Sequence, residues 1–531
     1  VNNAELIVGM LEDAGVRRAF GVPSGPVLPL IEAMRESRIE YVLTASETSA
    51  GFMATTVGAM TGVPGVCIAT LGPGATNLAT GIGAAWLDRA PVIAITCNAP
   101  SHMLERRVQM RIDHHSLFAP LTKATLAIRS GNAARQLSQA LTLSRTEPPG
   151  PVHLDLPEDV AQEPATEDVL APLPRFDLAP VPSVAFDDLQ TLLKASRRPV
   201  LVTGLDLTRT EEPHRLLAFI ERQGMPWIAT MHAKGFLPES HPRYAGVLGR
   251  ARRSDVQRFV DRSDLVITVG YDPVEINYEE WVGDRPIVHI GAEVTELSRD
   301  LLLPINVGGD LDRAMDSLAG LPAFENDWTA EEVEAHRREL DVNLRPESSG
   351  FAPHHVIDAL RDRLPADGIL AYDVGAHTHQ IATQWRTDEP WTCISTNGWS
   401  SMGFGMPAAY AAKLVHPEKQ VVALVGDGCF AMTAGELTMA RRLGLAVPVV
   451  VLNDGWLSLI KVKQQRRELG ASGVRLGEPP PSPAHYFGVP VRPARDETEL
   501  RTALDWAFAQ DGPTVIEAFV NGETYLQTVY D

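Results

Sequence analysis

A chain of 531 residues, 44% hydrophobic and 21% charged, is long enough to bury several cores, and its length points to about three domains. The formal net charge of −20 argues against nucleic acid and acidic membranes as partners, because polyanions repel an acidic surface. No stretch has the length and apolarity of a membrane span, and the first residues lack a basic segment followed by an apolar one, so a soluble cytoplasmic protein is expected.

Residues 1–165 alternate helical and strand patterns and predict a doubly wound, parallel-sheet α/β domain. Residues 4–15 read as an amphipathic helix, 19–22 as a short strand, 27–37 as a helix, and 63–71 and 92–97 as buried parallel strands. The string Leu43-Thr44-Ala45-Ser46-Glu47 places a carboxylate after a strand and before the small-residue segment 50–60. An isolated Glu there is an acid in the first turn of a helix, where the macrodipole favours it. Glu47 has company, because Thr70-Leu71-Gly72-Pro73-Gly74-Ala75-Thr76-Asn77 also follows a strand and opens a helix, with Gly72 lying 25 positions on (72 − 47).

A Pro-Pro-Gly-Pro string at 148–151 precedes a strand at 152–156, and residues 163–182, rich in Pro, Ala and acids, read as a linker. A second α/β unit spans 184–325, with strands at 199–203, 265–269 and 287–290. Gly204 and Gly270 each follow a strand, as in nucleotide-binding folds. Neither begins a Gly-x-Gly-x-x-Gly string, so a structural spacer is expected rather than a bound dinucleotide. The charged residues 326–346 predict a solvated helix and linker. Cys67, Cys97, Cys393 and Cys429 stand far apart in or beside apolar runs, which argues for core thiols rather than a disulfide framework or zinc site.

A third α/β domain spans 351–531 and holds the most informative stretch, residues 421–465. An apolar run ends in Gly426-Asp427-Gly428-Cys429-Phe430, a helix is expected at 433–443, and a second apolar run ends in Leu452-Asn453-Asp454-Gly455-Trp456. This is a buried parallel β-α-β unit with a polar cluster at the C-terminal end of each strand, where ligands bind. Gly426 and Gly428 let backbone N–H groups approach an anion, and the following helix adds its positive end, so the turn suits a phosphate or diphosphate. Asp427 and Asp454, 27 positions apart (454 − 427), would repel such a group unless a cation lay between them. Mg²⁺ suits, since it takes one or two protein oxygens with phosphate oxygens, and the Trp456 carbonyl can supply a third. Taken singly, Asp427 closes a turn and Asp454 caps a helix. A Pro-rich rigid loop follows at 477–483.

The Gly-Asp-Gly unit with its second acidic end resembles the metal and diphosphate signature of thiamine-diphosphate enzymes. The resemblance implies that Asp427, Asp454 and the Trp456 carbonyl hold Mg²⁺, and that Gly426, Gly428 and Cys429 contact the diphosphate. Asp454 stands where many members carry Asn, which adds charge without spoiling the ligand set. The Gly-Pro-Gly-Ala-Thr-Asn string, at its distance from Glu47, is similar to acetolactate synthases and their relatives, in which a Glu protonates the aminopyrimidine ring. Glu47 is the candidate for that role. Bonded to pyrimidine N1′, such a carboxylate favours the imino tautomer, which takes the thiazolium C2 proton at close range.

The segment Asn397-Gly398-Trp399-Ser400-Ser401-Met402-Gly403-Phe404-Gly405-Met406-Pro407 resembles the family stretch in which a bulky residue wedges under the bent cofactor. By that match Met402 is the wedge, and the backbone of Ser400 and Met402 binds the pyrimidine edge; from the residues alone, such a Met is core packing. His377, in Asp373-Val-Gly-Ala-His377, falls where relatives place a diphosphate or substrate contact. The order pyrimidine, central and diphosphate domain covers nearly the whole chain. Because the family builds its sites between subunits, Glu47 of one chain is expected to meet Asp427 of another in a homodimer or homotetramer.

Two positions depart from true acetohydroxyacid synthases. Counted back without gaps from Lys123, their Gln falls on Met110, with Gln109 one position earlier, and their substrate-selecting Trp falls on Lys463. The pair His114-His115 is similar to paired histidines of pyruvate decarboxylases, in a different register. Ser24, Gln109, His114 and Lys463 are therefore carried as candidate substrate contacts; of Lys461 and Lys463, two apart on a helix, at most one points into the cleft. The resulting expectation is an acetolactate-synthase-like carboligase acting on a 2-keto acid or related carbonyl donor through an enamine at C2. A decarboxylase or carbon–carbon lyase of the same family is the second reading, and a dinucleotide-dependent oxidoreductase or non-catalytic cofactor-binding protein the third. FAD in the central domain stays open but is not expected.

Overall fold

Apolar β-branched runs and the helices between them form three largely parallel sheets in the computed structural model, which describes residues 1–170, 177–276 and 279–530. Residues 171–176 of the expected linker lie outside the described residues. The first sheet runs Glu40–Leu43, Arg18–Gly21, Gly65–Thr70, Val92–Asn98, Pro151–Pro157, Ala124–Ala127, all parallel. Its three strands Gly65–Thr70, Val92–Asn98 and Pro151–Pro157 are buried along their whole length; the first two read as apolar runs, whereas the third buries His153 and Asp155.

The second sheet runs Ile305–Gly308, Ile287–Gly291, Leu265–Val269, Pro199–Thr203, Trp227–Ala229, Tyr244–Val247, again all parallel. The third runs Cys393–Ile394, Ile369–Tyr372, Val421–Gly426, Pro448–Asn453, Thr514–Phe519, Val489–Ala494, His485–Tyr486, with only the last pair antiparallel. Each sheet begins in its interior and grows first to one side, then to the other. Three crevices result, opening beyond Arg18–Gly21 and Gly65–Thr70, beyond Pro199–Thr203 and Leu265–Val269, and beyond Ile369–Tyr372 and Val421–Gly426. Such switch points are where open α/β sheets bind ligands.

Two expected helices differ. The one at 433–443 is divided into helix Asp427–Thr433, a 3₁₀ turn Ala434–Glu436 and helix Leu437–Arg442, a break that coincides with Gly435 and with a Glu436 side chain drawn to another domain. The stretch at 326–346 contains helix Ala330–Asn343, but it is not solvated all round. Val333, His336 and Leu340 are buried, and Phe259 stacks on both Trp328 and His336, at 4.9 and 4.4 Å between ring centres. A narrow apolar stripe among Glu and Arg hides in a sequence reading. All four cysteines are free; Cys67, Cys97 and Cys429 are buried and Cys393 partly so. Among the described residues no helix is long and apolar enough to cross a membrane.

Buried imidazoles make this fold acid-sensitive. Burial pushes His153 down to about 3, and His289 and His354 down to about 4. An unfolded chain protonates His near pH ~6.5, so below that the unfolded state binds more protons than the folded one. The stability these groups contribute is complete above about pH 6.5 and is lost as pH falls towards 4. The melting temperature is expected to drop across that window, and His153→Gln to flatten the drop. Parallel curves for parent and variant would remove His153 from the effect.

Candidate active site

Glycine pairs bring the N-terminal site residues together. A Cβ on Gly51 would lie 2.7 Å from the Gly81 Cα, so helices Glu47–Thr61 and Pro73–Leu87 touch backbone to backbone. Glu47, only 9% exposed, thereby meets the opening of the second helix, where the Asn77 amide donates to its Oε2 at 3.2 Å. A Cβ on Gly74 would sit 3.2 Å from its Oε1.

In the C-terminal domain the ends of two adjacent strands deliver the acids. Asp427 Oδ1 accepts the Gly428 N–H at 2.7 Å and Oδ2 accepts the Gly455 N–H at 2.8 Å. Asp454 Oδ1 accepts the Trp456 N–H at 3.0 Å, and its Oδ2 accepts the Ser458 hydroxyl. Burial, and then the charge of Asp454, pushes Asp427 up to about 6; burial also raises Asp454. Two half-buried, mutually repelling carboxylates are what a divalent cation relieves. Among the described residues no group of three or more His, Cys, Asp or Glu is placed to hold a metal ion, so such an ion would need oxygens beyond these side chains, as Mg²⁺ with a diphosphate has.

The groups around the turn fit a diphosphate. His377 stands in the first turn of helix Ala376–Gln384, with its Cε1 3.0 Å from where a Cβ of Gly426 would be. Its Nε2 is buried without a hydrogen-bond partner among the described residues, and burial holds the ring neutral, pushed down to about 4. A Cβ on Gly428 would meet Leu457 at 2.8 Å and the Met402 Cε at 3.1 Å, so Met402 overhangs the turn. The loop carrying it is irregular, with Ser400 at φ 50° and Gly403 at φ 94°. The Cys429 thiol turns into the core and donates to the Val374 carbonyl at 3.1 Å.

The candidate substrate contacts stand on separate elements. His114 is 1% exposed: its Nε2 accepts the Gly72 N–H at 3.4 Å, while Nδ1 lies 2.9 Å from Thr96 Oγ1 and 3.3 Å from Asp155 Oδ1. It braces the Gly72 turn from beneath. Gln109 is exposed in a turn, and Ser24 ends the first strand's loop with a buried hydroxyl that has no partner among the described residues. The two lysines of helix Ser458–Arg466 diverge as expected, Lys461 lying 4.3 Å from the Trp456 ring and Lys463 5.0 Å from the Tyr530 ring.

Asp373 escaped the sequence reading, although it ends an apolar strand in the same string as His377. Fully buried, it accepts the Val374 and Gly403 N–H groups on Oδ1 at 2.8 and 2.9 Å, and the Gly405 N–H on Oδ2 at 2.9 Å. It pins the Met402 loop to the strand end.

The central switch point is closed by the chain itself. Gly204 and Asp206 donate their N–H groups to the carbonyls of Val269 and Gly270, and a Cβ on Gly204 would lie 2.4 Å from the Tyr271 Cα. Glu275 accepts the Leu205 N–H and Asp206 the Ala292 N–H, each at 2.9 Å. The carboxylates of Glu275 and Asp206 thus hold backbone N–H groups at this strand end. A cavity of about 260 Å³ where the three domains meet is lined by Arg89, Arg209, His232 and Trp391, and by none of the turn residues Gly426–Gly428.

Family models fall on all three units: "Thiamine pyrophosphate enzyme, N-terminal TPP binding domain" on residues 1–117, the central domain on 186–318 and the C-terminal TPP binding domain on 373–518. The chain belongs to the thiamine pyrophosphate enzyme family. Among similar relatives, the acetolactate synthase of Mycobacterium bovis is 30% identical over 481 residues, 87% of this chain and 77% of its own length. The acetolactate synthase large subunit of Lactococcus lactis is 30% identical over 475 residues, 87% of this chain and 82% of its own. The acetolactate synthase isozyme 1 large subunit of Escherichia coli is 28% identical over 536 residues, covering 98% and 94%. The protein is a thiamine-diphosphate-dependent, acetolactate-synthase-like carboligase.

Proposed function

We propose that this thiamine pyrophosphate enzyme joins a 2-keto acid donor to a carbonyl acceptor, with Mg²⁺ and the cofactor diphosphate at the Gly426–Gly428 turn. The observation that supports this best is the convergence of Asp427, Asp454, His377 and Met402 on one glycine turn at a switch point. Asp427, Asp454 and the Trp456 carbonyl hold the metal. The His377 imidazole and the turn through Gly426, Gly428 and Cys429 meet the diphosphate, and Ser400 and Met402 shape the pyrimidine side. When bound, thiamine diphosphate supplies a carbon nucleophile at thiazolium C2. Glu47 holds the proton at pyrimidine N1′, with Asn77 orienting its carboxylate.

The expected domains 1–165 and 351–531 carry Glu47 and Asp427 respectively. The interdomain cavity is lined by neither, in keeping with a site that closes between chains of a cytoplasmic homodimer or homotetramer. The sealed central crevice supports activity without flavin.

Incubating the Mg²⁺ and thiamine-diphosphate form with a panel of 2-keto acids, with and without FAD, tests this through carbon dioxide release and product mass. A product heavier than the donor supports carboligation, and carbon dioxide without one makes the protein a decarboxylase. Turnover that depends on added FAD would overturn the flavin-free reading.

Lys463 bears on the substrate class. An ammonium at the cleft favours a partner with a second anionic group over a plain aliphatic one. Lys463→Met is expected to lose about 10-fold or more in kcat/KM on dianionic 2-keto acids and little on neutral-tailed ones, since one charge-assisted bond contributes about 1.5 kcal/mol or more. Equal losses on both would show that Lys463 does not select.

A further inference from the structure

We propose that Glu436 is a positioning residue that sets the Glu47 carboxylate from the diphosphate domain of the same chain; this rests on the reading of Glu47 given above. Glu436 closes the 3₁₀ turn Ala434–Glu436, immediately after helix Asp427–Thr433 and nine positions beyond Asp427 (436 − 427). It is 1% exposed. Both its carboxylate oxygens accept the Ala45 N–H at 3.0 Å, and Oε1 also accepts the Ser46 N–H at 3.1 Å. These are the two backbone donors that precede Glu47.

The surroundings make the grip specific. Ser46 is the N-cap of helix Glu47–Thr61 and accepts the Ser49 N–H at 3.2 Å, so its own orientation sets the first turn on which Glu47 sits. Arg442, on helix Leu437–Arg442, donates to the Leu43 carbonyl, so the segment 43–46 is held at both ends by residues 436–442. A Cβ on Gly435 would lie 3.3 Å from the Ala45 Cβ, which leaves the two domains no room to slide here.

Burying a carboxylate costs free energy unless charge-assisted bonds offset it. Glu436 meets that cost with donors 391 and 390 positions away, next to the acid that serves the chemistry. Helix Asp427–Thr433 and the 3₁₀ turn that follows it therefore join the Asp427 turn at one end to the Glu47 segment at the other. Near a reacting centre, a displacement of about 1 Å can cost on the order of 100-fold in rate.

The test uses the full chain loaded with Mg²⁺ and thiamine diphosphate, comparing the parent with Glu436→Gln, Glu436→Asp and Glu47→Gln on an active 2-keto acid. Glu436→Gln keeps one acceptor but turns an amide N–H₂ towards the Ala45 N–H, and Glu436→Asp keeps the charge but draws it back by one methylene. Both are expected to lower kcat by about 10- to 100-fold while KM and cofactor affinity stay within about two-fold. The near-UV circular dichroism of the bound aminopyrimidine should shift towards that of Glu47→Gln, with the melting temperature unchanged. Parent-like kcat in Glu436→Gln beside an inactive Glu47→Gln overturns this proposal alone. So does a kcat loss matched by equal losses of cofactor affinity or melting temperature in both Glu436 variants, because a plain interdomain latch would do that. Parent-level turnover in Glu47→Gln overturns it together with the role of Glu47.

Discussion

Glu47→Gln is expected to lower turnover by about 10²- to 10⁴-fold while leaving thiamine-diphosphate affinity nearly unchanged, the range that a positioned proton-transfer group contributes. The amide preserves size, and its oxygen still accepts the Asn77 N–H, so the local packing survives. What it loses is the ability to hold and release a proton at pyrimidine N1′. Glu47 also caps the dipole of its helix from the first turn, a contribution of under about 1 kcal/mol that the melting temperature would report separately. Steady-state kinetics beside a cofactor titration by tryptophan fluorescence distinguish the two effects. Parent-level turnover would remove Glu47 from the mechanism.

The second large effect is expected at the metal. Asp427→Ala should lose Mg²⁺ affinity by about 100-fold or more, and with it the diphosphate, since the diphosphate would then face Asp454 with no cation between them. Asp454→Asn should still bind both, because an amide oxygen coordinates and one of two repelling charges is gone. The asymmetry has a structural side as well: Asp427 ties its own turn to the neighbouring strand end through Gly455, at 2.8 Å, whereas the Asp454 oxygens are used within their own loop by Trp456 and Ser458. Calorimetric titration of Mg²⁺ with thiamine diphosphate measures the difference. Equal defects in the two variants would sink the shared-metal model.

Much of the site was legible because its requirements are local. A turn that must bring N–H groups to an anion requires glycine, a buried parallel strand requires an unbroken apolar run, and both leave their mark within a few residues, as at Gly426 and Gly428. The three α/β units follow from the same period reading, and their sheets contain the strands expected at 199–203, 265–269 and 92–97 within a residue or two. Element boundaries were less legible where a side chain answers to another part of the fold, as in the broken helix before Glu436.

Sequence by itself determined the doubly wound units and the Gly-Asp-Gly turn with its paired acid, since each is written in residues that the backbone geometry demands in place; Glu47 was singled out by its resemblance to a family string. The tertiary structure alone decided that His114 faces inward under Gly72, that the Cys429 thiol is turned to the core, and that Asp206 and Glu275 seal the central crevice. It alone joined Asp373 to Gly403 and Gly405, and Glu436 to Ala45 and Ser46. The physical reason is range: a side chain's direction and its hydrogen-bond partner are set by groups tens to hundreds of residues away, and no local pattern records which donor a buried carboxylate will find.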